Sequence, residues 1–312
     1  MTTEQLLDAA FNVAAVNAKS APDWNLTAGI ELAGTILAQA AADHIALVVF
    51  PELWLPGFVN DDSVPPPKNF MDYVDNAIEV GDDNWLALLR LGAEHRLHFS
   101  MSFAERLGSN LHMAQVLVGP DGTALSLRRK FKPSGGERRF FSDMPDHENL
   151  EVITTPLGRI GALSCGEHFK PQMTFPLMAQ NENIHICAFP YNRVEPDGYD
   201  WSNDDHAWWL RYEMNETCAA YYSIVSGSWV VMASIGRLLI VDARGRVVAR
   251  ADNSDSNYAV ARIDPTEFPP AAEGETNYHS WGVLQQMISS YPGPKEPHSF
   301  YSGLTKIDYA VL

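Results

Sequence analysis

Residues 159–190 have the sequence RIGALSCGEHFKPQMTFPLMAQNENIHICAFP, and this stretch indicates the fold class. Its two apolar runs, 159–164 and 184–190, have the length and composition of buried strands. Residues 169–182 between them have the composition of a helix, which Pro176 is expected to break near its middle. Strands that alternate with helices in this way predict an α/β protein whose sheets are covered by helices.

The same alternation continues through most of the chain. Predicted strands lie at 11–18, 45–50, 97–103 and 225–234, predicted helices at 26–41, 84–97 and 206–222, and predicted hairpins turn at Pro120-Asp121-Gly122 and Ala243-Arg244-Gly245. The order of elements in the first half recurs in the second, which suggests two halves of similar design. Because no Gly/Ser-rich or charged linker separates them, we expect one compact domain.

Composition narrows the class of protein. The chain has 312 residues, of which 46% are hydrophobic and 20% charged, so it can bury a large core. Its formal net charge is −17, and no basic run offsets that charge locally, so neither a nucleic-acid nor an anionic-membrane partner is expected. We find no apolar stretch of about 18 residues and no signal-peptide pattern, which predicts a soluble, cytoplasmic protein.

Three segments fall outside the alternation. Residues 59–70 and 191–205 are rich in proline and carry aromatic side chains, and each follows a strand. Such segments either build a ligand pocket or form solvated surface loops, and the sequence leaves both open. The last segment has little periodicity, so we expect a domain over residues 1–270 and a tail over 271–312 that lies on the surface or against another subunit.

Cys165 is the first candidate for chemistry. With three cysteines and no CxxC pair, a disulfide framework is not expected. Cys165 directly follows an apolar strand and precedes Gly166, so it is predicted at a turn that exposes the side chain. Backbone N–H groups at such a turn can lower the pKa of a thiol and bind an oxyanion. The alternative is a small buried hydrophobic residue, which we predict for Cys187 and Cys218.

Charged residues at strand ends are the other candidates. Glu52 follows VVFP at the end of an apolar strand, where a carboxylate is costly unless it is paired or used as a base. Lys130 and Glu137 lie in LRRKFKPSGGERRFF, at the end of the first hairpin. The alternatives are a surface loop for Glu52 and a solvated face for Lys130 and Glu137.

Several other chemistries lack their sequence signatures. There is no GxGxxG after a strand, no GxxxxGK[ST] and no GxSxG, so nucleotide binding and the usual serine hydrolase mechanism are not expected. The pair His185 and Cys187 and the cluster Asp204-Asp205-His206 lack the ligand number and spacing of a zinc site. We therefore expect neither a metal nor another cofactor.

Taken together, these segments resemble the nitrilase superfamily of carbon-nitrogen hydrolases. The matching segments are VVFPELWLPGF (48–58), LRRKFKPSGGERRFF (127–141), TPLGRIGALSCGEHFKP (155–171) and the hairpin VDARGRVVARADN (241–253). The resemblance extends from about residue 11 to residue 264. It implies a four-layer α-β-β-α sandwich that assembles into a homo-oligomer, a dimer or larger.

The resemblance also implies roles for four residues. Cys165 would be the nucleophile and Glu52 the general base, while Lys130 and the Gly166 N–H stabilise developing negative charge. Glu137 would hold Lys130 or help a water to attack. The RKxKPxxxER pattern and Cys-x-Glu-His are more similar to the nitrilase branch than to the amidase or carbamoylase branches. The implied reaction is hydrolysis of a small organic nitrile to the acid and ammonia.

Two other functions are compatible with the same family resemblance. An amidase or carbamoylase would attack a carbonyl with the same residues, and a catalytically silent member would serve as a scaffold or binding protein. Gly166 stands where related nitrilases usually have tryptophan, so either the pocket is larger there or the backbone needs a glycine angle. The residues expected around the substrate are Gly166, His168, Tyr191 and Trp54, with Trp201, Trp208 and Trp209 nearby.

Overall fold

The structure, a computed structural model, describes residues 9–59, 70–144, 150–192, 211–252 and 256–268. The strands are β1 (Phe11–Val16), β2 (Ile45–Val49), β3 (His98–Leu107), β4 (Asn110–Val118), β5 (Ala124–Arg129), β6 (Ile153–Thr155), β7 (Gly158–Ser164), β8 (Ile184–Tyr191), β9 (Trp229–Ile235), β10 (Arg237–Val241), β11 (Val247–Asp252) and β12 (Tyr258–Ile263). The helices are α1 (Leu26–Ala42), α2 (Phe70–Asp75), α3 (Asp83–His95), α4 (Pro171–Ala179) and α5 (Tyr212–Ser226).

The strands form two six-stranded sheets of matching topology. One has the order β12-β1-β2-β3-β4-β5 and the other β11-β10-β9-β8-β7-β6. In each sheet three neighbouring strands are parallel, β1 to β3 and β7 to β9, and two antiparallel strands follow. The prediction of two halves of similar design is therefore confirmed at the level of topology.

Alternating side chains of each sheet face two different cores. In β2, Leu47 and Val49 pack against the second sheet, including Ile186 and Val231, whereas Val48 packs against the helices of the first. A strand that is covered on both faces has to be apolar throughout, as the sequence of β2 is. Helices α1 and α3 cover the first sheet, and α4 and α5 cover the second. The predicted α-β-β-α sandwich is confirmed.

One prediction about an element was wrong, and some elements were not predicted. Helix α4 is not broken at Pro176 but continues to Ala179, because its buried face, Met173 and Leu177, packs against Leu163 of β7. The missing proline N–H costs one backbone hydrogen bond, which this packing outweighs. In addition, strands β6 and β12 and the short helix α2 were not predicted. The sequence of β12, YAVARI, has only one polar residue, so it lacks the apolar–polar alternation that predicts a half-buried strand.

Several predictions fall outside the described residues. These concern residues 60–69 and 193–205 of the two predicted loop segments, the start of the predicted helix over 206–222, and the tail from 269 onward. Trp201, Trp208 and Trp209 lie among these residues. Of the predicted helix over 206–222, the structure describes the residues from 211 onward, and α5 there begins at Tyr212 and ends at Ser226. Among the described helices, none is long and apolar enough to cross a membrane.

Candidate active site

Strand ends bring the four candidate catalytic residues to one edge of the sandwich. Glu52 follows β2, Lys130 follows β5, and Cys165 follows β7 as the first residue of a 3₁₀ turn. Glu137 lies in a second 3₁₀ turn, Gly135–Arg139. The backbone N–H of Glu52 donates to the carbonyl of Phe189 in β8 at 3.1 Å, which joins the two sheets at this edge.

Lys130 lies between two carboxylates. Its Nζ donates to Glu52 Oε1 at 2.8 Å and to Glu137 Oε2 at 2.8 Å, and the three side chains are 0%, 0% and 4% exposed. Glu137 Oε2 also accepts the Ser134 N–H at 2.6 Å. The surface-loop and solvated-face alternatives are therefore wrong for Glu52, Lys130 and Glu137.

Burial and charge set the protonation of this cluster. Desolvation raises the pKa of Glu52 to about 8; the charge of Lys130 opposes this rise, and Glu137 adds to it. Desolvation by itself lowers the pKa of Lys130, but Glu137 and Glu52 raise it above its ordinary value, so Lys130 remains an ammonium. In the part of the chain that the structure describes, Glu52 Oε2 has no hydrogen-bond partner. That oxygen can accept a proton.

Cys165 is a buried thiol in a constrained backbone conformation. It is 3% exposed, and its φ of 43° lies in the left-handed region, which is uncommon outside glycine. Burial raises its pKa well above the ordinary value, as does the charge of Glu52, while Lys130 and the Gly166 N–H lower it. The prediction of an exposed cysteine of lowered pKa is wrong, because desolvation outweighs the N–H group. A thiol in this state needs a base.

One carboxylate that sequence analysis missed holds this turn against β5. Glu167 accepts the Ser164 N–H at 2.9 Å, the Phe131 N–H at 3.0 Å and the Arg128 guanidinium at 2.7 Å. It thereby ties the residue before Cys165 to the residues on either side of Lys130. The Ser164-x-x-Glu167 spacing is that of a capping box, a signal that could have identified Glu167 from the sequence.

The structure explains the glycine at position 166 neither by a larger pocket nor by a special backbone angle. It is not one of the described glycines with positive φ, so the backbone-angle explanation is wrong. A Cβ at Gly166 would lie 2.8 Å from Ser134 Oγ, so the hydroxyl of Ser134 takes the space beside Gly166 rather than leaving it to a substrate. The glycine permits close approach of the two segments that carry Cys165 and Glu137.

The other predicted substrate-binding residues lie in different environments. Trp54 is buried, and its Nε1–H donates to the carbonyl of Ala18 at 2.8 Å. Tyr191, at the end of β8, meets Phe58 edge to face with ring centroids 5.8 Å apart. His168 is buried beneath the turn, and both of its ring nitrogens are in hydrogen bonds to the protein.

A cavity of about 490 Å³ lies beside the cluster formed by Glu52, Lys130, Glu137 and Cys165. It lies at the carboxyl ends of β1, β2, β8 and β9, and both Trp54 and Tyr191 line it. Leu53, the residue after Glu52, is in its wall, whereas Cys165 and Lys130 are not among its lining residues. The cavity is thus next to the cluster.

The other two cysteines lie in β8 and α5. Cys187 is buried in β8, as predicted, and Cys218 in α5 is half-buried. Within the described ranges, no group of three or more histidine, cysteine, aspartate and glutamate side chains is arranged to hold a metal ion.

The chain is similar to known proteins in sequence and in fold. The family model described as carbon-nitrogen hydrolase matches residues 12–271. An arylacetonitrilase of Hypocrea virens is 33% identical over 214 residues, 67% of this chain and 63% of that protein. A bromoxynil-specific nitrilase of Klebsiella pneumoniae subsp. ozaenae is 36% identical over 196 residues, 61% of this chain and 55% of that protein. This chain therefore matches less than two thirds of the length of either relative.

The fold matches those of solved members of the superfamily. A variant of an amidase from Nesterenkonia AN1, of the nitrilase superfamily, has a TM-score of 0.65 at 12% identity, over 85% of this chain and 94% of that one. That likeness shows the fold, and the family model, which matches most of the chain, shows the family. On these grounds the protein belongs to the carbon-nitrogen hydrolase family.

Proposed function

We propose that the protein is a nitrilase, which hydrolyses a small organic nitrile to the carboxylic acid and ammonia with Cys165 as nucleophile. The observation that carries this proposal is Lys130, fully buried between Glu52 and Glu137 beside a buried thiol. Burying three ionisable groups costs desolvation energy that packing does not require, which favours a catalytic role. The two relatives named as nitrilases support nitriles as the substrate class.

The first step forms a bond between Cys165 and the nitrile carbon. Ionised Glu52 accepts the thiol proton through its free Oε2 as the sulfur attacks, and one C–N π pair moves to nitrogen. Glu52 then returns the proton to that nitrogen, which gives a thioimidate. Lys130 and the Gly166 N–H stabilise the charge on nitrogen as it develops.

Two waters complete the reaction. The first adds to the thioimidate carbon while Glu52 takes its proton, and the C–N bond then breaks with ammonia as the protonated leaving group, leaving a thioester. The second water adds to the thioester, and the C–S bond breaks to release the acid and restore the thiol. Glu137 keeps Lys130 charged and in place throughout, at 2.8 Å. The sum is one nitrile and two waters to one acid and one ammonia.

Ammonia release from a panel of nitriles and matched amides tests the proposal, with an arylacetonitrile and a halogenated benzonitrile included. We expect wild-type protein to form acid and ammonia in equal amounts, and Cys165→Ala to form neither while its thermal unfolding changes little. Substantial turnover by Cys165→Ala would contradict the role of Cys165. Mainly amide product would indicate nitrile hydration, activity on amides alone an amidase, and no activity from folded wild type a silent member.

The roles of the cluster can be tested one by one. Glu52→Gln, Lys130→Met and Glu137→Gln should each lower kcat by roughly 10²- to 10³-fold, the usual cost of losing one group aimed at developing charge. Asn25→Ala, at the start of α1, is a control that should leave kcat unchanged. A Glu137→Gln variant with normal kinetics would leave a catalytic set of three residues.

We infer the organisation of the whole chain from the family match. The match covers residues 12–271, which supports a hydrolase domain over 1–270. We infer that residues 271–312 form a tail at a subunit interface of a homo-oligomer. We infer that the site binds a small nitrile or amide as substrate, and the proposed mechanism requires no cofactor.

A further inference from the structure

A buried chain of four hydrogen-bonded side chains leads away from Cys165. His168 Nδ1 lies 2.8 Å from the carbonyl oxygen of Cys165, and its Nε2 lies 2.9 Å from His185 Nε2. His185 Nδ1 lies 3.0 Å from Glu182 Oε2, and the Tyr222 hydroxyl donates to Glu182 Oε1. The proposed mechanism uses none of these four side chains.

These four side chains are buried and belong to different parts of the second half of the chain. His168 lies in the 3₁₀ turn, Glu182 lies two residues before β8, His185 is the second residue of β8, and Tyr222 lies in α5. All four side chains are at most 6% exposed. The rings of His185 and Tyr222 stack with centroids 3.9 Å apart, and His168 stacks on Phe189 at 5.5 Å. The outer helix layer is thereby connected to the peptide group beside the nucleophile.

Counting protons gives the direction of each hydrogen bond. The carbonyl of Cys165 can only accept, so His168 Nδ1 carries a proton. Burial and the neighbouring His185 lower the pKa of His168 well below its ordinary value, so His168 is neutral and its Nε2 accepts from His185. The hydrogen bond between His185 Nδ1 and Glu182 Oε2 requires a proton on one of these two atoms. Every hydrogen bond is then satisfied, and all of them favour donation toward Cys165.

The hydrogen bond to Cys165 acts on the peptide that carries the oxyanion donor. In a trans peptide the C=O and the N–H point in opposite directions, so holding the Cys165 carbonyl also orients the Gly166 N–H. That N–H lowers the pKa of the Cys165 thiol, because it favours the thiolate form. We propose that His168, held by His185, Glu182 and Tyr222, is a positioning residue that aims the Gly166 N–H at the sulfur and at the charge that develops on substrate. Its effect on turnover rests on the proposed function.

The pH profile of Cys165 alkylation by iodoacetamide tests the proposal without a substrate. The groups that face this thiol are Glu52, Lys130, Glu137 and the Gly166 N–H. Since the thiolate is the reactive form, losing its N–H partner raises the apparent pKa. We expect His168→Leu to shift the profile upward by about one pH unit, which makes alkylation at a fixed pH about tenfold slower. Peptide-resolved mass spectrometry separates Cys165 from Cys187 and Cys218.

Two further variants separate positioning from packing. His168→Asn places an amide N–H near the position of Nδ1, so it should recover much of the lost alkylation rate. His98→Leu applies the same substitution to a buried histidine at the start of β3, away from the site, and should keep the wild-type profile. A wild-type profile for His168→Leu, or equal defects in the Asn and Leu variants, would overturn the proposal.

Glu182, which lies toward the other end of the hydrogen-bonded side chains, provides a test if His168→Leu does not fold. In Glu182→Gln the amide N–H can donate to His185 and the amide oxygen can accept from Tyr222, so the order of donors is kept. Glu182→Leu removes both contacts. We expect the Leu variant to shift the alkylation profile more than the Gln variant. Equal profiles would contradict a role for these hydrogen-bonded side chains in positioning the Gly166 N–H.

Turnover distinguishes this proposal from the proposed function. If the protein hydrolyses nitriles, His168→Leu should lower kcat at least tenfold with little change in KM, and His168→Asn should restore part of kcat. Should wild-type protein release no ammonia, the proposed function fails, while the alkylation profiles still decide whether His168 positions the peptide.

Discussion

At the residue scale, the unusual property of Glu52 is its affinity for a proton. Burial raises its pKa to about 8, although Lys130 donates to Oε1 at 2.8 Å. A general base works only when ionised, so kcat/KM should rise as pH increases through about 8. Ammonia release from pH 5 to 10, with circular dichroism at each pH as a check on folding, measures this. A rate that falls between pH 6 and 9 would contradict the role of Glu52 as base.

Gly166 provides a second prediction at this scale. In Gly166→Ala the new methyl meets Ser134 Oγ, the end of a side chain that can rotate, so a modest loss of stability is expected. Gly166→Trp has to displace Ser134, whose N–H binds Glu137, and should lower kcat by roughly 10²-fold through Lys130. Adding Ser134→Gly to Gly166→Ala should restore the unfolding temperature. Wild-type kinetics for Gly166→Trp would show that the Ser134 contact is unimportant.

At the element scale, Glu167 connects the end of β5 to the turn after β7. Its carboxylate and the Arg128 guanidinium are both buried, so Glu167→Ala leaves a buried charge without its partner. We expect a loss of roughly 3–5 kcal/mol in the free energy of unfolding, measured by urea denaturation. Asn25→Ala, which removes the N-cap of α1, should cost only about 1 kcal/mol. Similar losses for the two variants would show that the ion pair adds little.

At the scale of the whole molecule, the described residues of the two matched sheets form a shared core that lies within residues 11–268. Their shared core includes Leu47, Val49, Ile186 and Val231, all fully buried. A chain that ends at residue 270 should therefore keep its unfolding temperature within a few degrees, while its oligomer, measured by light scattering, becomes smaller. Loss of folding on truncation would contradict the domain boundary, and an unchanged oligomer would contradict a tail at the interface.

Hydrophobic patterning and family motifs were enough to predict the sandwich and the candidate residues. Strand and helix periods are local, so β2, β7 and α1 could be located from the chain alone. The same locality placed Glu52, Lys130 and Cys165 at the ends of strands, where α/β proteins place their sites. Periodicity failed at α4, because packing against Leu163 outweighed a proline, and at β12, because its sequence YAVARI does not alternate between apolar and polar residues.

Burial and contacts between distant segments could be learned only from the folded chain. Glu52 and Lys130 are 78 positions apart, and His168 and His185 are 17 apart, so no local pattern encodes their hydrogen bonds. The net direction of the Cys165 pKa shift depends on how far burial and Glu52 outweigh Lys130 and the Gly166 N–H, and burial is a property of packing. A pattern along the chain shows where a side chain can lie, whereas its charge state depends on what surrounds it in three dimensions.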